Sequence, residues 1–101
     1  MTDDELRIEL LVASPPTSKC NKLIDMMEDF VEKYPNRLRL DVYYAGSQMR
    51  VEPTEGYQND PDGKQRKVPS AYVSGDKVAS DEVPSKEKIS KKIEIELEED
   101  L

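Results

Sequence analysis

The chain has 101 residues, 36% hydrophobic and 37% charged, enough for one small domain with a modest core. Acidic residues number 22 against 15 basic ones, a balance that argues against nucleic acid and against an anionic membrane surface as partners. With no histidine and a single cysteine, Cys20, an internal disulfide is excluded, and a zinc site or a Cys-His catalytic dyad lacks its ligands or base.

The opening "MTDDELR" has no signal-peptide core, and no apolar run approaches the ~20 residues of a membrane span. The expectation is a cytoplasmic protein of one domain, residues 1–101. Residues 6–13, "LRIELLVA", alternate at Leu6, Ile8 and Leu10 and then turn continuously apolar. That pattern predicts a strand that enters from an edge and becomes buried on both faces. Ser14, Pro15 and Pro16 stop it, and Thr17 or Ser18 can cap a helix by accepting from the N–H groups of its first turn. In that helix Leu23, Met27, Phe30 and Tyr34 recur on one face, flanked by Ile24 and Val31, until Pro35-Asn36 ends it. "LRLDVYY", residues 38–44, is a second strand with Leu38, Leu40 and Val42 on one side. A strand–helix–strand order implies a parallel pair with a right-handed connection.

Residues 45–67, "AGSQMRVEPTEGYQNDPDGKQRK", show almost no apolar periodicity and are long for a plain connection. They predict a long loop, with a small hairpin about "DPDG" and local opening well below the global unfolding free energy. "NDPDGK" does not make a calcium loop. With Gly63 at the glycine position, Gln58 opens the loop and Pro69 falls where the bidentate glutamate must stand. "VPSAYVSGDKVAS" predicts a hairpin of strand 70–74, a Gly75-Asp76 turn and strand 77–80. From Pro84-Ser85 onward, Ile89, Ile93 and Leu97 predict a closing helix, although "KIEIEL" also alternates with the period of a strand. The acids Glu96, Glu98, Glu99 and Asp100 oppose the dipole at its C-terminus and favour fraying.

This order, β-α-β, long loop, β-β-α, resembles the thioredoxin fold in its small glutaredoxin-like form. Two motifs carry the resemblance: the strand–"SPPTSKC"–helix turn, where that family has Cys-x-x-Cys, and Val68-Pro69 before the hairpin, similar to the family's cis-proline dipeptide. The resemblance implies an α/β fold with a mixed four-stranded sheet and two main helices. It places Cys20 at the family's second cysteine and Thr17 at the first, so the attacking thiol is absent. Ala79-Ser80 stand where glutaredoxins have a double glycine that helps admit glutathione. The implied function is a peptide- or thiol-binding module without dithiol turnover, with Thr17, Ser18, Lys19, Val68 and Pro69 as binding residues and no cofactor or metal. Val68 would present its backbone to an extended partner.

Cys20 has two readings. A helix N-terminus and Lys19 favour a reactive thiolate, which would make a single-cysteine redox protein whose mixed disulfide is resolved in trans. Alternatively, one turn inside the helix and above Leu23 and Ile24, it is a small buried hydrophobe. Thr-x-x-Cys is also similar to the peroxiredoxin site, but Ala13 stands where that family has proline, and only Arg50 and Arg66 offer a peroxide-binding arginine.

Overall fold

Strand β1, Leu6–Val12, is the hub of the sheet. It pairs in parallel with β2, Leu38–Tyr44, and antiparallel with β3, Ser70–Val73, which continues into β4, Asp76–Ser80. The strand order is β2-β1-β3-β4. The structure, a computed structural model, describes residues 5–99. Met1–Asp4 of the N-terminal stretch and Asp100-Leu101 of the acidic tail lie outside the described residues.

The strand period of two sorts β1 into two faces. Leu6, Ile8, Leu10 and Val12 join Leu38, Ala71 and Val73 under helices α1, Ser18–Lys33, and α3, Lys86–Glu99. Helix α1 buries Cys20, Leu23, Met27 and Phe30, a stripe spaced three or four residues apart. Helix α3 buries Ile89, Ile93 and Leu97, and Ile95, which a strand would have placed on their side, is 52% exposed. The two-way pattern of "KIEIEL" is therefore resolved as helix. Lys92 reaches Glu96 one turn on (3.0 Å) and Asp76 of β4 (2.7 Å), tying α3 to the hairpin. The architecture is the α/β layout expected, a mixed four-stranded sheet with two main helices on one face. Among the described residues, no helix is long and apolar enough to cross a membrane.

The opposite face departs from expectation. Residues 45–67 hold a one-turn helix α2, Glu55–Gln58, capped by the Thr54 hydroxyl, and a 3-10 turn at Gly63–Gln65 in place of the expected hairpin. Tyr57 of α2 is buried between Tyr43 and Tyr72, with ring centroids 5.1 Å and 4.7 Å away in edge-on geometry. The Arg66 guanidinium lies 4.1 Å over the Tyr57 ring. One aromatic anchor thus docks a segment that has no apolar period of its own.

Glu9 shows the consequence for β1. It occupies a polar position of the alternating pattern, yet it is completely buried. Its carboxylate accepts from the Tyr43 hydroxyl (2.7 Å), the Thr54 N–H (2.9 Å) and the Thr54 hydroxyl (2.5 Å). Arg7 stands 3.7 Å away and donates to Asp41, to Tyr43 and to the Glu52 carbonyl. A buried carboxylate is tolerated only with such a full set of donors. Rather than entering from an edge, β1 lies between β2 and β3 in the sheet.

The hairpin turn is shifted by one residue. Ser74 and Gly75 are its two central residues, both with positive φ (53° and 84°), and Val73 pairs with Asp76. Two positive φ values match the right-handed twist of the flanking strands. Gly75 also meets Gly56: a Cβ on Gly56 would lie 2.1 Å from the Gly75 carbonyl oxygen, so glycine permits α2 to touch the hairpin.

Candidate functional site

Val12 ends β1, and the backbone turns through Ala13, Ser14, Pro15 and Pro16 into α1. Thr17 takes the extended conformation of an N-cap, φ −82° and ψ 174°, and its hydroxyl accepts from the Cys20 N–H at 3.2 Å. The same hydroxyl donates to the Cys20 sulfur at 3.1 Å, and the Ala13 N–H donates to that sulfur from the strand side at 3.5 Å. Thr17, Ser18 and Lys19 are exposed, whereas Cys20 has no exposed surface.

Burial pushes the Cys20 thiol up. The Thr17 hydroxyl and the backbone N–H groups around the sulfur pull the other way and bring it below the ordinary thiol value. The sulfur is surrounded by donors and has no surface access. Cys20 is thus a buried core side chain whose sulfur accepts from the Thr17 hydroxyl and the Ala13 N–H.

Thr17→Ala is expected to cost about 0.5–2 kcal/mol through loss of the cap and to raise the Cys20 pKa. Chemical denaturation and thiolate absorbance against pH measure the two effects separately. Thr17→Ser keeps both hydrogen-bonding roles and should change neither much.

Val68 and Pro69 lie at the same end of the sheet, since Ser70 pairs with Leu11 near the C-terminal end of β1. The Ser14–Pro15 and Val68–Pro69 peptide bonds are both cis. Pro69 is buried and Val68 is 36% exposed. Among the described residues, the Val68 backbone makes no hydrogen bond to another backbone group outside regular elements. Lys19 links the two halves: its ammonium donates to the Asp81 carbonyl (3.2 Å) and lies 3.6 Å from the Asp81 carboxylate. The Asp81 N–H in turn donates to the Pro69 carbonyl at 2.8 Å. Both charges of the Lys19–Asp81 pair are more than half exposed, so the link positions the turn and adds little stability.

The loop arginines do not join the thiol. Arg66 packs on Tyr57 and donates to the Tyr72 hydroxyl (3.1 Å), on the face of the sheet away from the helices. Arg50 lines a cleft beside β2 with Tyr44 and Met49. This removes the arginine on which the peroxiredoxin likeness depended. Sequence reasoning also missed the polar network of the second face, in which Asp60 is buried against Tyr72 and Lys77. Three tyrosines, at 43, 57 and 72, were its available signal, because a tyrosine supplies a ring for packing and a hydroxyl for a buried polar partner. Among the described residues, no cluster of potential metal ligands is present.

No protein-family model matches the chain, and no curated protein matches it.

Proposed function

We propose that the protein is a thioredoxin-like binding module of the cytoplasm with a degenerate Thr-x-x-Cys site, recognising an extended peptide or a thiol-bearing partner without dithiol turnover. The observation that carries this reading is the pairing of Thr17 with a fully buried Cys20. A hydroxyl occupies the exposed cap position, and the chain's single thiol is beneath it. Attack on a partner disulfide needs an accessible thiolate, and resolution needs a second thiol. What the site offers instead is exposed Thr17, Ser18 and Lys19 at the same end of the sheet as exposed Val68. An extended peptide laid along Val68 would gain main-chain hydrogen bonds, the usual source of affinity in strand addition.

The lowered thiol pKa favours a second reading, a single-cysteine redox protein in which Cys20 forms a mixed disulfide after local opening of the turn. An assay of protein-disulfide reduction driven by a dithiol separates the two. The unaltered protein is expected to show no turnover. Thr17→Cys, which can close a 17–20 disulfide, should gain activity. Titration with a library-selected peptide should shift the amide resonances of Val68 and of residues 17–19 first. Robust turnover by the unaltered chain would overturn the binding-module reading.

A further inference from the structure

The two outer edges of the sheet are built differently. Strand β4 is paired through an irregular register at Ala71/Tyr72, is short, and carries Asp76 and Lys77 at its start. Bulges and charges of this kind blunt an edge against further pairing. Strand β2 has seven residues in unbroken parallel register with β1, without proline or glycine, and among the described residues no strand covers its other side.

The phase of that free edge follows from its hydrogen bonds. The Leu6 N–H donates to the Arg37 carbonyl and the Ala45 N–H donates to the Val12 carbonyl, both at 2.8 Å. In a parallel ladder this makes the odd-numbered residues of β2 bond to β1, while Leu40 and Val42 direct their N–H and C=O outward. Leu38 offers only its carbonyl, because its N–H is bonded to Tyr34.

We propose that the β2 edge is a homodimer interface, in which two copies pair antiparallel about a two-fold axis at Leu40. In this register Leu40 faces its own symmetry mate, and the outward groups of the two leucines bond reciprocally. Each Val42 N–H reaches a Leu38 carbonyl of the second copy. On the helix-covered side, the part-exposed Leu40 and Val42 gain an apolar neighbour. On the other side, Arg39 of each copy stands opposite Asp41 of the second, at the close spacing of a non-hydrogen-bonded pair. Within one chain these residues already associate, with Arg39 Nε 3.1 Å from the Asp41 carboxylate. The dimer would extend that pair across the axis, with each Asp41 also held by Arg7 of its own chain at 3.0 Å. A register centred on Asp41 would oppose two carboxylates, and one centred on Val42 would set Arg39 against Ala45, so only the Leu40 register pairs Arg39 with Asp41. The occupant favoured is therefore a second copy, because the sequence of the edge is complementary to itself.

The test is the mass of the protein by sedimentation equilibrium over a wide concentration range, combined with amide exchange. The unaltered protein is expected to dimerise reversibly, and exchange at Leu40 and Val42 should slow as concentration rises. Arg39→Asp places like charges opposite each other twice and should weaken the dimer by at least about tenfold. Arg39 is exposed, so circular dichroism should show the fold intact, and Arg39→Lys should retain the dimer. A monomer at all concentrations overturns the proposal. So does a dimer indifferent to Arg39→Asp, or one whose concentration-dependent protection falls outside residues 38–44.

Discussion

Glu9→Leu is expected to destabilise the protein by about 2–5 kcal/mol, the cost of leaving its hydrogen-bond donors without an acceptor. The leucine would pack acceptably in the middle of β1, so the loss comes from the groups left behind. The Thr54 N–H, the Thr54 hydroxyl and the Tyr43 hydroxyl all donate to Glu9. Buried donors without an acceptor each cost on the order of 1–3 kcal/mol. Amide exchange should locate the damage in residues 51–60, while Leu23 to Phe30 and Ile89 to Ile93, on the other side of the sheet, stay protected. Removing the stranded donors as well, with Tyr43→Phe and Thr54→Val beside Glu9→Leu, should recover part of the stability. A cost of Glu9→Leu below about 1 kcal/mol would show that the carboxylate does not hold the segment.

The second large effect is alkaline instability. Burial pushes the phenols of Tyr43, Tyr57 and Tyr72 above their ordinary value, and hydrogen bonds to Glu9 and Asp60 add to this at Tyr43 and Tyr72. A phenol with a raised folded pKa stabilises the fold fully below its unfolded pKa of about 10 and progressively less as pH rises toward the folded value. Lys77 acts in the same direction: its hydrogen bond to Asp62 raises its pKa, so its contribution is lost as pH rises through that value. The urea midpoint should stay level from neutral pH to about 9.5 and fall steeply above about 10. Phenolate absorbance should rise with the unfolding transition. Tyr57→Phe removes one of the three phenols and should fall less steeply. A midpoint still level at about pH 11 would overturn the account. On the acid side the order reverses for Asp60. Burial raises its pKa, but Tyr72, the Asp62 N–H and Lys77 outweigh this and lower it. Its stabilisation is present above the ordinary carboxylate pKa and lost as pH falls through the folded one.

Much of the helix-covered face was legible from residue spacing. Leu23, Met27 and Phe30, and Ile89, Ile93 and Leu97, repeat with the helical pitch because one face of each helix meets one sheet. Leu38, Leu40 and Val42 repeat with the strand pitch for the same reason. The cap at Thr17 was legible too, since a hydroxyl before a helical stripe has an N–H within reach. The hairpin was recognisable by its glycine but placed one residue late, because a serine also accepted the left-handed conformation.

By itself, then, the sequence determined the order of the four strands and two main helices, the apolar stripes that join them on one side, and the position of its single cysteine at the start of a helix. These are properties of residues close along the chain, where pitch and hydrogen-bonding reach decide the outcome. The tertiary structure alone decided that Glu9 is buried, because its covering Thr54 lies 45 residues away and belongs to a segment without apolar period. It also decided that Cys20 is sealed from solvent, and that β2, not β1, stands at the outside of the sheet. Burial depends on what arrives from elsewhere in the chain, and no local pattern records that arrival.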